Sequence, residues 1–269
     1  MSYLRYMTLY TFRAHNPTWD IVLIKRKVPL EKTQYNWAET QDFMLPALPD
    51  YTSSLEALDI KMEYLEDEYE EVAALDISDV HTSDILAWYI LARKGGVVSD
   101  TDIIFTRPFD YERFKDTEFG IVCFDGLPKA NYMPVSFMIS QPNVIHEKIY
   151  QASLKLVDKN VYESAGTIVI ENTLGSFVDI CRKNKEVNVT KLPNKIIFPF
   201  ADDYEWGFYA QLAFIYNTYD HLDKDCIGIH WYAGAPGHQK FNEAYANGDY
   251  GKYNNTIGAA IRRAIEIRG

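Results

Sequence analysis

The chain has 269 residues, 47% of them hydrophobic and 24% charged. At about 150 residues per domain this is one large or two small domains with chain enough for a substantial core, which excludes disordered, collagen-like and disulfide-stapled architectures. Lysine and arginine number 27 against 38 aspartates and glutamates, a net charge of −11. Nucleic acid and anionic membrane surfaces are therefore poor partners, and an anionic small substrate needs local neutralisation of the kind a carboxylate-bound divalent cation supplies.

Cys123, Cys181 and Cys226 are isolated and odd in number, so they read as reduced core thiols and not as a zinc site or disulfide framework. No apolar run reaches the ~20 residues of a membrane span. Met1 to Tyr6 holds no apolar core of signal type. The expectation is a cytoplasmic protein, with both Asn-x-Thr sequons unused.

In chain order, Leu4 to His15 predicts an opening helix that stops at Asn16-Pro17, because the residue before proline is pushed out of helical geometry. Asp20 to Lys25 is β-branched and predicts a buried strand. Pro46 and Pro49 interrupt a mixed stretch. Glu63, Glu66, Asp67, Glu68, Glu70 and Glu71 form an acidic block of the kind found on a solvated helical face or mobile loop. Val80 to Lys94 predicts a helix with Ile85, Trp88 or Tyr89, and Ala92 on one face. Ser78, Asp79 or Thr82 can cap its start, and Gly95-Gly96 ends it. Gly96 to Ser99 is then a short strand, followed by Asp100-Thr101-Asp102 and the apolar Ile103-Ile104-Phe105.

Further strands are expected at 119–124, 135–140, 195–199 and 226–231. Asn143 to Val157 predicts a helix, and Thr256 is placed to cap a last one running to about Arg268, whose arginines suit a helix C-terminus. Helix, glycine turn, strand and paired acids together are α/β organisation. Residues 1–269 read as a single domain, since no repeat or Ser/Gly linker divides them.

Asp100-Thr101-Asp102 carries the chemistry. Alternation along an extended chain points both carboxylates to one side, where they repel unless a cation lies between them. Oxygen ligands suit Mg²⁺ or Mn²⁺ over zinc. A strand's C-terminal end is also where ligands bind in open α/β sheets.

Ser83-Asp84-Ile85-Leu86, then Gly95-Gly96, then Ser99-Asp100-Thr101-Asp102, with 16 positions from Asp84 to Asp100, resemble the DXD-motif glycosyltransferase family. That family includes fungal Golgi α-mannosyltransferases, α-1,4-galactosyltransferases, capsule-synthesis enzymes and the glucosyltransferase domain of large clostridial toxins. Gly228-Ile229-His230-Trp231-Tyr232-Ala233-Gly234 resembles its C-terminal His-Trp-Ala-Gly-Ser-Trp-like segment. The resemblance implies a GT-A type, Rossmann-like domain with a mixed central sheet flanked by helices. It implies transfer of a sugar from a UDP- or GDP-linked donor to a glycan, lipid-linked or protein acceptor, with Mn²⁺ or Mg²⁺ and with retention of configuration.

By the same resemblance Asp102 ligates the metal, Asp100 binds it or the donor, and Asp84 holds donor-sugar hydroxyls. His230 completes the metal shell or binds diphosphate, or else is a satisfied buried histidine. Trp231 covers the donor or packs in the core, and Gly234 shapes a closing loop within an acceptor-side region at 200–250. His238, Lys240 and the Asp202–Trp206 stretch fall in that region. Two positions depart from the pattern: Ala87 stands where the family has a donor-contacting arginine, with Arg93 on the same helix a candidate partial substitute, and Val97-Val98 stands where it has an aromatic. Family members begin with a strand before the first helix, and this sequence opens at the helix. Two other classes remain open: an Asp-x-Asp, Mg²⁺-dependent phosphohydrolase, in which the first acid is phosphorylated, and a non-catalytic nucleotide-sugar-binding relative.

Overall fold

The computed structural model describes residues 1–28, 48–124, 132–200, 210–233 and 238–269. It is a mixed α/β molecule. The elements run α1 (Tyr3–His15), β1 (Val22–Lys25), a 3-10 turn (Thr52–Leu58), β2 (Lys61–Tyr64), α2 (Leu65–Glu68), α3 (Glu70–Ala73), α4 (Asp79–Arg93), β3 (Gly96–Ser99), β4 (Ile103–Phe105), α5 (Tyr111–Phe114), β5 (Phe119–Val122) and β6 (Phe137–Ser140). They continue with α6 (Val144–Leu156), α7 (Thr167–Leu174), α8 (Phe177–Lys183), β7 (Val189–Leu192), α9 (Leu212–Ile215), β8 (Gly228–His230), α10 (Gln239–Tyr245) and α11 (Thr256–Arg268).

Among the described residues the central sheet has the order β3-β6-β5-β7 and is mixed: β6 runs antiparallel to both its neighbours and β5 pairs parallel with β7. Both faces of its inner strands are covered, which is why 119–122 and 137–140 read as continuous apolar runs. Phe119, Ile121 and Met138 join a core with Ile85, Trp88 and Leu91 of α4 and Ile145 and Ile149 of α6. Val122, Phe137 and Ile139 face the other way, onto Ile103, Phe105 and Phe198. A third core packs α1 against α11 through Leu4, Met7, Ile257 and Ile261, with Ile104, Ile229 and Trp231 inserted. The β4–β8 ribbon thus lies between the second and third cores. No helix among the described residues is long and apolar enough to cross a membrane.

Several local expectations are met. The Ser78 hydroxyl accepts from the His81 amide and caps α4, and the helix expected from Asn143 is α6. Gly95 and Gly96 both have positive φ, 68° and 100°. A Cβ at Gly95 would lie 2.8 Å from the Ser140 carbonyl oxygen, so glycine is required there on both counts.

Other expectations are corrected. Among the described residues β1 pairs only with β2, and its residues are exposed or half-buried, so it is not a buried strand. Glu63 of the acidic block is buried on β2, where it meets Lys61, Lys94 and the Tyr69 hydroxyl. Residues 195–199 form no strand. Pro193 and a 3-10 turn at Asn194–Ile196 intervene, although the Ile196 and Ile197 carbonyls still accept from Ile227 and His230. The strand of this region is β7, which its polar Val-Thr-Lys-Leu sequence conceals. Asn255, not Thr256, caps α11. Cys123 and Cys226 are buried but Cys181 is exposed.

Candidate metal and donor site

The Asp100–Asp102 segment is a turn between β3 and β4, not an extended strand. It is anchored from several sides. The Asp100 amide donates to the Ser136 carbonyl at 2.8 Å. From α1, Arg5 Nη1 donates to Thr101 Oγ1 at 2.6 Å and Thr8 Oγ1 donates to the Thr101 carbonyl at 2.8 Å. Thr101 is thus held outward, and the two acids point to the opposite side by turn geometry instead of strand alternation.

His230 reaches them because β4 and β8 pair antiparallel with Ile103 opposite His230. The Trp231 amide donates to the Asp102 carbonyl at 3.0 Å and the Ala233 amide to Asp102 Oδ2 at 2.9 Å. His230 Nε2 lies 3.2 Å from Asp102 Oδ1 and 3.6 Å from Asp100 Oδ2. One donor atom from each of the three residues falls within a 4.8 Å circle, the spread of ligands around one cation. The imidazole is 6% exposed and the Asp102 side chain 13%, while Asp100 is 43% exposed and faces the opening.

The electrostatics match a site built for positive charge. Burial alone would lower the His230 pKa, but the Asp102 and Asp100 charges override it and raise it to about 9. Burial would raise Asp102, yet His230, Arg5 and the Ala233 amide hold it below the usual carboxylate range. The enclosing walls and the Asp102 charge push Asp100 up. Asp102 Oδ1 and both His230 ring nitrogens are buried without a hydrogen-bond partner. Buried polar atoms are ordinarily satisfied, so Asp102 Oδ1 and His230 Nε2 facing each other beside Asp100 fit a divalent cation.

Asp84 projects from α4 into the same region. Its carboxylate has no hydrogen-bond partner among the described residues, and burial together with the charges of Asp100 and Glu163 raises its pKa well above the ordinary value. A Cβ on Gly166 would lie 2.7 Å from Asp84 Oδ2, so the glycine leaves just the space the carboxylate occupies. The segment carrying Gly166 and Glu163 is pinned to α4 at both ends of one helix face. His81 Nε2 lies 2.9 Å from the Val161 carbonyl and Trp88 Nε1 donates to the Ala165 carbonyl at 2.8 Å. The Tyr132 hydroxyl donates to Glu163 on the far wall.

Other candidates fall elsewhere. Trp231 is fully buried and its indole meets Phe214 edge-on at 6.1 Å, in the third core. The geometry favours packing over donor cover. His238 is buried with Nδ1 2.7 Å from the Trp231 carbonyl. Lys240 stands 4.9 Å over the Phe241 ring. Arg93 stacks on Tyr89 and Tyr150 and pairs with Glu147 at 3.2 Å, which leaves it no part in replacing an arginine at Ala87. Gly234 and the 202–206 stretch lie outside the described residues. Arg5, Glu163 and Tyr132 are site residues that the sequence did not single out, and none sits in a local motif; Tyr232 lies in the 228–234 segment but was given no role there.

No family model and no curated protein matches this chain. Among solved structures, a chain described as "PaToxG Glycosyltransferase" aligns with 97% of this chain and 82% of its own length, at 14% identity and a TM-score of 0.44. A likeness of that degree carries no functional argument.

Proposed function

We propose that the protein is a metal-dependent glycosyltransferase that moves a sugar from a nucleotide-diphosphate donor to a hydroxyl acceptor, with retention of configuration. The observation that carries this reading is the convergence of Asp100, Asp102 and His230, from segments about 130 positions apart, into one potential ligand set. Two carboxylates and an imidazole suit Mn²⁺ better than Mg²⁺, which prefers an all-oxygen shell.

When bound, the cation would neutralise the donor diphosphate and stabilise the leaving group as the glycosidic bond breaks. The chain's own residues do the rest. Asp102, fixed by the Ala233 amide and nearly closed off from water, is the inner carboxylate ligand. Asp100, at the mouth, is placed to ligate and to meet the donor. Asp84, unpaired and set back beside Gly166, is placed to accept hydrogen bonds from sugar hydroxyls. An unpaired carboxylate gains more from such a bond than a neutral acceptor would. Arg5 and Thr8 hold the turn in place from α1. The donor is read as a hexose linked to UDP or GDP, and the acceptor as a glycan, lipid-linked or protein hydroxyl.

The test is donor turnover. Full-length protein with Mn²⁺ is offered a panel of UDP- and GDP-sugars without acceptor, and released nucleoside diphosphate is quantified beside Asp102→Ala and a chelated control. Slow release from one donor, lost in both controls, supports the reading. Absence of any metal-dependent donor binding by calorimetry refutes it. Release of inorganic phosphate from simple phosphate esters would favour the phosphohydrolase. Donor binding without release or transfer to any acceptor would favour a non-catalytic relative.

A further inference from the structure

A histidine that ligates a metal ordinarily fixes its ring plane by donating the second ring N–H to a carboxylate, a carbonyl or water. Among the described residues the buried His230 Nδ1 meets no carboxylate or carbonyl. The imidazole instead packs against two aromatic rings that meet on adjacent sides of it. The Tyr232 ring stands perpendicular to it with centroids 4.0 Å apart, and Phe198 meets it at 5.3 Å and 65°. The two rings stack on each other at 5.9 Å, closing the grip.

The backbone is bent to allow this. Tyr232 has φ 51°, and among the described residues the only other non-glycine with positive φ is Asp59. Along an extended strand, side chains two positions apart stand about 7 Å apart on one face. The left-handed conformation folds the Tyr232 ring back to 4.0 Å from the residue two before it. A bulky residue in this region of backbone space is strained, and such strain persists where the surroundings over-determine it, often at functional sites.

We propose that Tyr232 is a positioning residue that, with Phe198, clamps the His230 imidazole so that Nε2 faces Asp100 and Asp102. The clamp replaces the hydrogen bond that orients most metal-binding histidines. It rests on the metal reading of the site given above. The ring does the clamping and the hydroxyl is incidental to it.

The experiment measures Mn²⁺ affinity of the full chain by calorimetry, with no donor present, for wild type, Tyr232→Phe, Tyr232→Gly and Phe198→Leu. Thermal midpoints are recorded alongside, and the Co²⁺ absorption spectrum reports on the nitrogen ligand. Tyr232→Phe should bind within about twofold of wild type. Tyr232→Gly accepts the left-handed backbone without strain, though losing the packed ring lowers its thermal midpoint, so binding is measured well below that midpoint, where Mn²⁺ affinity should fall roughly 10–100-fold, as with other lost orienting contacts. Its Co²⁺ band should weaken. Phe198→Leu should fall between. If Tyr232→Gly does not fold, Tyr232→Leu fills similar volume without a ring and should show the same loss. Equal binding by wild type and the ringless variants overturns the clamp and leaves the metal site standing. Tyr232→Phe losing as much as Tyr232→Gly also overturns it, since the hydroxyl would then carry the effect. No Mn²⁺ binding by wild type overturns the metal reading and the clamp together.

Discussion

His146 allows a stability prediction to be worked through. It is 1% exposed, with its ring layered between Phe119 at 4.9 Å and Trp88 at 6.1 Å. Its Nδ1 lies 2.9 Å from Asn143 Nδ2 and 3.1 Å from Ser140 Oγ, and no acidic group faces it. Burial therefore pushes its pKa down to about 3, against 6.5 in the unfolded chain. Between those values the unfolded chain holds a proton that the folded chain refuses. The stability this histidine contributes is fully present above pH 6.5 and is lost as pH falls toward 3. The full difference of 3.5 units at 1.36 kcal/mol each is roughly 5 kcal/mol, an upper value for a change of this kind. Urea unfolding followed by tryptophan fluorescence at pH 7, 6, 5 and 4 should show stability falling by up to about 1.4 kcal/mol per pH unit from this group. His146→Phe keeps the ring stack and removes the titration, so its curve should be flatter whatever its absolute stability. Parallel curves for the two proteins between pH 6.5 and 4 would refute the reasoning.

His230 is shifted the opposite way, to about 9. Its charged form stabilises the metal-free fold fully below pH 6.5, and that contribution is lost as pH rises through 9. Metal must displace the proton, so Mn²⁺ binding at pH 7.5 should release about one proton per site, read from the buffer dependence of the calorimetric enthalpy; no release would count against His230 as a ligand. Gly95→Ala meets both a positive φ and a 2.8 Å contact with the Ser140 carbonyl, and should cost at least ~1–2 kcal/mol in urea unfolding. Trp88→Phe removes the donor to the Ala165 carbonyl, which should cost about 1–3 kcal/mol. By loosening the segment that presses Gly166 on Asp84, it should also lower donor turnover more than Mn²⁺ affinity.

The residues themselves determined what short-range physics controls. The helices α1, α4, α6 and α11, the Ser78 cap and the Gly95-Gly96 turn were legible because each depends on neighbours within about four positions. Strands β5 and β6 were legible because burial on both faces leaves an unbroken apolar run. Asp84, Asp100 and Asp102 stood out as acids placed around a helix, a glycine turn and a strand. What the local pattern could not decide was who meets whom. The polar β7 is a strand because β5 offers it a hydrogen-bonding edge, and the apolar 195–199 is not one because Pro193 and the adjacent turn divert it. His230 joins the two acids only through the β4–β8 register, since a slip of one residue would turn its side chain to the other face. Arg5 on α1 and Glu163 beside α7 enter the site from distant segments, Tyr232 returns to His230 through a left-handed residue, and Trp231, next to His230, turns into the core. Propensity and capping act over a few residues at about a kilocalorie each. Strand pairing and side-chain convergence are set by the packing of the whole molecule, so only the tertiary structure could place the second half of the site.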